Sequence, residues 1–168
     1  MELDLGGFKL SLKENKKTVR KLSDMKGFYT DQGAVARILE DGDPVIYEVY
    51  ARESEGPGNL SYAVTVINPG DVGGECFMTK GHFHDKPTAE LYLGLEGEGI
   101  LLLQNRQGDT KKLRLEPGRV SYVSKDCAHR VINTGSSKLK FLAIYSSDSG
   151  HDYGTIEKEG FKETVRKD

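Results

Sequence analysis

From Pro44 onward, glycine and proline divide the chain into short runs rich in β-branched and aromatic residues, and this cadence limits the fold more than any other feature. PVIYEVYA ends at GPGN, LSYAVTVIN follows, and the turn cluster PGDVGGE separates it from CFMTKGHFH. AELYLGLEG, EGILLLQ, TKKLRL, RVSYVS, HRVINT and KFLAIYS come next, with NRQGD placed as a hairpin loop between ILLLQ and TKKLRL. About ten short strands at this spacing predict an all-β sandwich or barrel, of which the jelly roll is one kind. Ahead of the strands, Asp31 is placed to cap a short helix with Ala34, Val35, Ile38 and Leu39 on one face, and the Asp-Gly-Asp-Pro run at 41–44 ends it.

At 168 residues the chain fits one domain of ordinary size. Residues 1–43 form an arm with the short helix, 44–146 the barrel, and 147–168 a polar segment lying on its outside. EKEGFKETVRKD is expected to be a solvated face. A net charge of −2 with Lys and Arg dispersed predicts no nucleic-acid partner, and no apolar run has the length of a membrane span. The first residues lack the basic-then-apolar order of a signal peptide, so the protein is expected in the cytoplasm, with Cys76 and Cys127 as thiols rather than a disulfide.

Four histidines are present, and two of them form His82-x-His84. Alternate side chains share one face of a strand, so both imidazoles can look inward. Glu90 opens the next strand, and His129 opens a later one. Three nitrogen donors and one carboxylate suit Fe, Mn, Ni, Co or Zn rather than Ca, and leave positions for water or substrate. A His-x-His pair alone is also what an exposed strand end carries. Tyr92 shares strand parity with Glu90, and its phenol is expected either in the same pocket or in the core.

These segments resemble the two motifs of the cupin superfamily. His82, His84, Glu90 and Gly97 match the first, with five residues between His84 and Glu90 in place of three or four and the leading glycine displaced to Gly74. Gly118, His129 and Asn133 match the second, with Ser124 in the place of its proline and Asp126 in that of its glycine. A longer resemblance, through VRKLSDMKGFY, DPVIYEVYA, FMTKGHFH, AELYLGLEGEGILLLQ and FLAIYSSDSGHDYGTI, is to the archaeal cupin-type glucose-6-phosphate isomerases. It implies a single cupin jelly-roll β-barrel with a few short peripheral helices. It also implies interconversion of glucose 6-phosphate and fructose 6-phosphate, one divalent metal ion per subunit with iron foremost, and a homodimer.

Carried onto this chain, the resemblance makes His82, His84, Glu90 and His129 the metal ligands. Glu90, Tyr92, His151 and Tyr153 become catalytic candidates, and Thr65, Thr79, Gly81 and Tyr145 candidates for holding the phosphate. Glu90 is open to three roles: ligand, proton shuttle, or ligand that swings off to act as one. Proton transfer and hydride shift both stay open. The ligand set by itself also suits an iron oxygenase, a sugar epimerase or a non-enzymic sugar-binding cupin. Thr79 and His82 have opposite strand parity, so both reach one pocket only if the chain bulges near Lys80–Gly81. Lys80 itself is expected to be a solvated surface residue.

Overall fold

A computed structural model describes residues 13–167, together with the backbone of 2–4 and 9–11; the opening of the expected arm otherwise lies outside the described residues. The elements are β1 (Glu2–Asp4), β2 (Lys9–Ser11), β3 (Lys16–Lys21), α1 (Leu22–Met25), α2 (Gln32–Asp41), β4 (Val45–Arg52) and β5 (Leu60–Ile67). They continue with β6 (Asp71–Val72), β7 (Glu75–Cys76), β8 (Glu90–Glu96), β9 (Gly99–Asn105) and β10 (Thr110–Leu115). The last are β11 (Val120–Val123), β12 (Cys127–Asn133), β13 (Leu139–Ser146) and α3 (Tyr153–Glu159). A single 3₁₀ turn, Lys26–Phe28, joins α1 to the approach to α2.

Six strands pair antiparallel in the order β11-β8-β13-β5-β4-β3, and three more in the order β10-β9-β12. The two sheets form the walls of a jelly roll, with Ile46, Ile67, Leu101, Leu103, Val131, Ile132 and Leu139 in one continuous core. Period-two alternation sorts the large sheet. Ala63 and Thr65 of β5, Tyr92 of β8, and Phe141, Ala143 and Tyr145 of β13 turn toward an internal cavity. Val64, Leu142, Leu93 and Ile144 occupy the opposite parity and cluster on the outer face.

The expected helix is α2. The Asp31 carboxylate accepts from Ala34 N at 2.8 Å, a cap of the kind that stabilises a helix by about 1 kcal/mol. Ala34 and Val35 are buried, and Ile38 and Leu39 pack against the core. Two other expectations require change. The sheet begins before residue 44, because Lys16–Lys21 of the expected arm pairs with β4 as the edge strand of the large sheet. Nor is EKEGFKETVRKD wholly a solvated face: most of its side chains are exposed, but the C-terminal segment carries apolar anchors. Ile156 is buried, Phe161 and Val165 pack against the core, and Val165 O and Lys167 N bond Cys76 N and Gly74 O at 3.2 and 2.9 Å. The polar composition of EKEGFKETVRKD hides these few apolar anchors, which follow no helical or strand period.

Candidate metal centre and its cavity

The stretch read as the strand CFMTKGHFH pairs regularly only at β7 and then runs irregularly along β12. Met78 bridges Ile132, but His82 bridges His129, so the pairing slips by one residue between the two bridges. Three local features accommodate the slip. Thr79 N donates to Val131 O at 2.9 Å, while Thr79 Oγ1 accepts from Val131 N at 3.1 Å and stands in for a backbone carbonyl. Lys80 O loses its ladder partner and accepts Nε and Nη2 of Arg130 at 3.1 and 2.6 Å. Gly81 takes φ +75°, and a Cβ there would lie 2.7 Å from the Phe161 ring and 3.0 Å from His129 O. The irregular bonding expected at Lys80–Gly81 is therefore present, and it turns Thr79 and His82 to the same cavity.

The ligand-type atoms of His82, His84, Glu90 and His129 all lie within 4.8 Å of one another. Glu90 Oε2 is 3.1 Å from His84 Nε2 and 3.0 Å from His129 Nε2. Each of these rings is held from behind: His84 Nδ1 lies 3.0 Å from Thr88 O and from Thr88 Oγ1, and His129 Nδ1 lies 3.2 Å from Cys127 O. Such partners fix ring orientation and direct Nε2 inward. Nε2 of His82 and Nε2 of His129 are buried with no hydrogen-bond partner, the latter facing Glu90 off hydrogen-bonding geometry. Buried polar atoms are rarely left so unless something is to bind them. Three imidazoles and a carboxylate with two nitrogens unsatisfied fit a divalent ion.

Burial would raise the Glu90 carboxyl pKa, but His129 and His84 outweigh it and hold it at about 2. Burial drives His82 well below its ordinary value, helped by His129 and His151. Burial also lowers His84, but its contact with Glu90 reverses the sign and the net shift is upward. Tyr92 is pushed well above the ordinary phenol range, first by burial and then by the neighbouring Glu90 charge, so it stays protonated as a donor.

All the predicted site residues except His84 line the cavity; His84 sits behind Glu90. At the mouth, the His151 and Tyr153 rings lie stacked 5.7 Å apart, with the His82 ring 4.5 and 5.2 Å from them. The segment carrying them is fastened by reciprocal Phe83–Asp152 backbone bonds of 3.2 and 2.8 Å and by Asp85 Oδ2, which accepts from His151 N at 3.0 Å. Asp152 then caps α3 through Thr155 N at 3.0 Å. Lys80 departs from the solvated reading: its Nζ lies 3.4 Å from Glu157, 5.3 Å from the Phe28 ring centre, and on the cavity wall. Asp126 holds φ +60° where the cupin pattern has glycine, a conformation that Asp tolerates better than most residues, so the turn before His129 survives the substitution.

Tyr47 and Arg130 in this region were not foreseen. Tyr47 lines the cavity beside Val49, with its hydroxyl pushed up to about 12 chiefly by burial. Arg130 is buried, with its guanidinium 4.5 Å from the Phe161 ring centre and 5.6 Å from that of Phe28. The parity shared by Tyr47, Val49 and, across the strand pair, Thr65 is the signal that would have found the first.

The family profile described as glucose-6-phosphate isomerase matches residues 19–166. The chain belongs to this glucose-6-phosphate isomerase family. A glucose-6-phosphate isomerase of Thermococcus litoralis is 51% identical over 161 residues, covering 94% of this chain and 85% of that one. That of Pyrococcus furiosus is 52% identical over 152 residues, covering 89% and 80%. Among solved structures, a Bacillus subtilis oxalate decarboxylase studied for its Mn(II) centres superposes with a TM-score of 0.51 at 24% identity, over 61% of this chain and 26% of that one. A Lactobacillus farciminis oxalate decarboxylase in complex with formate gives 0.52 at 20% identity, over 64% and 30%. These two likenesses support the cupin fold of this isomerase family member and nothing beyond it.

Proposed function

We propose that this chain interconverts glucose 6-phosphate and fructose 6-phosphate at the His82–His84–Glu90–His129 centre. The observation that carries the reading is the pair of unsatisfied, buried imidazole nitrogens at the base of a tyrosine-lined cavity, in a chain of this family. His82, His84, Glu90 and His129 would hold a divalent ion, which would supply Lewis acidity toward the oxygens on C1 and C2 of an open-chain sugar. The ion is read as iron, ahead of Mn, Ni, Co and Zn, which the same donors suit.

The chain's own groups supply the rest. Tyr92, kept neutral, has one proton to donate, to Glu90 or, once Glu90 has turned away, to a sugar oxygen. Glu90, when it turns away from His84 and His129, takes a proton from C2 or C1, the C–H electron pair passing into an enediolate, and returns the proton to the other carbon, since a carboxylate shared by two imidazoles is a weak base. His151 and Tyr153 face the sugar ring at the mouth, where an imidazole lowered by burial stays neutral and can accept a hydroxyl proton on ring opening. Thr65, Thr79, Gly81 and Tyr145 hold the phosphate through hydroxyls and a backbone amide. The Thr79 hydroxyl accepts from Val131 N and so keeps its own proton to donate.

We read the protein as one domain over 1–168 that works in the cytoplasm as a homodimer. Cys76 and Cys127 are thiols, which suits a reducing compartment, and no described helix is long and apolar enough to cross a membrane. The outer face of the large sheet suits a second copy. Val64, Leu142, Leu93 and Val120 lie in register across four strands, with Tyr62, Ile144, Leu91 and Tyr122 beside them. Val120, Tyr122 and Leu91 are exposed.

A coupled assay from fructose 6-phosphate, run before and after chelation, tests the function. Activity should vanish with chelator and return with Fe, Mn or Ni. Full turnover by demetallated protein would refute the metal centre, and no turnover under any metal would refute the isomerase.

A further inference from the structure

The groups assigned to the phosphate are all neutral, yet a phosphate monoester carries about −1.5 to −2 charges at pH 7. Taking such an anion into a cavity without a counter-charge is costly. Three cations line the mouth of the cavity: Lys16, Arg20 and Lys80. Two are already engaged. Lys16 Nζ lies 2.7 Å from Glu53, and Lys80 Nζ lies 3.4 Å from Glu157. Arg20 has no carboxylate within ion-pair distance among the described residues.

Sheet register fixes where Arg20 stands. It lies directly opposite Tyr47 on the neighbouring strand, as Val49 lies opposite Thr65 one strand further in. Opposed residues on antiparallel strands project from the same face, with Cβ atoms about 5 Å apart. Tyr47, Val49 and Thr65 all line the inner cavity, so Arg20 and Thr18 continue that face outward to the mouth. The pairing slips immediately afterwards, between Arg20 and Lys21, which makes Arg20 the last residue of β3 before the shift. Tyr47 then bridges the two zones, lining both the inner cavity and the mouth.

We infer that Arg20 is the cation that receives the substrate phosphate, its guanidinium and the Tyr47 hydroxyl forming the charged wall of the phosphate end of the cavity. A guanidinium fits this task because its planar fork can give two hydrogen bonds to one phosphate. The inference rests on reading the cavity as a sugar-phosphate site, and Thr79→Ala, which probes that reading alone, belongs in the same experiment.

The test is steady-state kinetics with fructose 6-phosphate on metal-loaded Arg20→Gln, Arg20→Lys and Thr79→Ala, with inorganic phosphate as competitive inhibitor and metal content measured for each. Arg20→Gln should raise KM about 10- to 100-fold, the range of a charge-assisted hydrogen bond, with kcat within about threefold. Its inhibition constant for phosphate should rise by a similar factor, with metal content unchanged. Arg20→Lys should recover only part of the loss. A raised KM in Thr79→Ala beside an unchanged KM and phosphate inhibition in Arg20→Gln would overturn the role of Arg20 and leave the site reading standing. Unchanged KM in both variants would overturn both. A fall in kcat at constant KM, or loss of metal, in Arg20→Gln would also overturn it, since an anchor for phosphate has no part in either.

Discussion

The large sheet and the stretch from Cys76 to Thr88 use the same backbone in opposite ways. Across β5, β13 and β8 the ladder is long, with one register shift between Lys140 and Phe141 on the β8 side, and alternation sorts the residues beyond it, cavity on one side and apolar outer face on the other. Between Cys76 and Thr88 pairing is reduced to isolated bridges: Met78 and His82 to β12, out of step with each other, and Phe83 to Asp152. Regular pairing can present only every second residue to a pocket. The slip lets Thr79, Gly81 and His82 all face it, at the cost of one carbonyl that needs the Arg130 guanidinium and one position that needs glycine. The irregular segment is where the chemistry sits, and the regular sheet is what holds it still.

Substitutions should separate the two regions. The largest effect is expected for His129→Ala and His84→Ala, which should lose the ion by elemental analysis and about a thousandfold or more in kcat/KM. Metal retained at full stoichiometry in either variant would mean that the donors are wrongly assigned. Next comes Gly81→Ala, which places a Cβ at positive φ against Phe161 and His129 O. Urea unfolding should show a loss of about 2 kcal/mol or more, and the KM for fructose 6-phosphate should rise. Wild-type stability in that variant would show that the slip is not held where we place it. Arg130→Met leaves Lys80 O without its partner and should cost about 1–3 kcal/mol by the same measurement, with metal content intact. The smallest effect on turnover is expected in the regular region: Leu91→Glu on the outer face should leave kcat within about twofold and stability within about 0.5 kcal/mol per chain. In sedimentation velocity, however, it should convert dimer to monomer, and a variant that sediments as wild type would remove that face from the proposed contact.

The regular region was legible in the chain itself. The runs PVIYEVYA, LSYAVTVIN and KFLAIYS became β4, β5 and β13 because turn residues mark their ends and alternation marks their faces. His82, His84 and Glu90 were singled out by the His-x-His spacing together with the family resemblance, and the bulge by a conflict of parity between Thr79 and His82. Arg20, Tyr47 and Arg130 were not, because their importance depends on which residue of another strand they meet. Arg20 acquires its place from Tyr47, and Arg130 from a carbonyl fifty positions earlier in the chain. In the C-terminal stretch the anchors Phe161 and Val165 were not legible for a related reason. Its composition is polar, and Phe161 matters through Arg130 and Gly81, which no count along the stretch can reveal.

The mouth of the cavity is walled by His151 and Tyr153, which follow His129 in the chain and are tied back to Phe83. During synthesis, all four donors therefore leave the ribosome before the wall does. β13 (Leu139–Ser146) also follows His129, and it joins β8, which carries Glu90, to β5, so the donors are held together only by a strand that is made immediately before the wall.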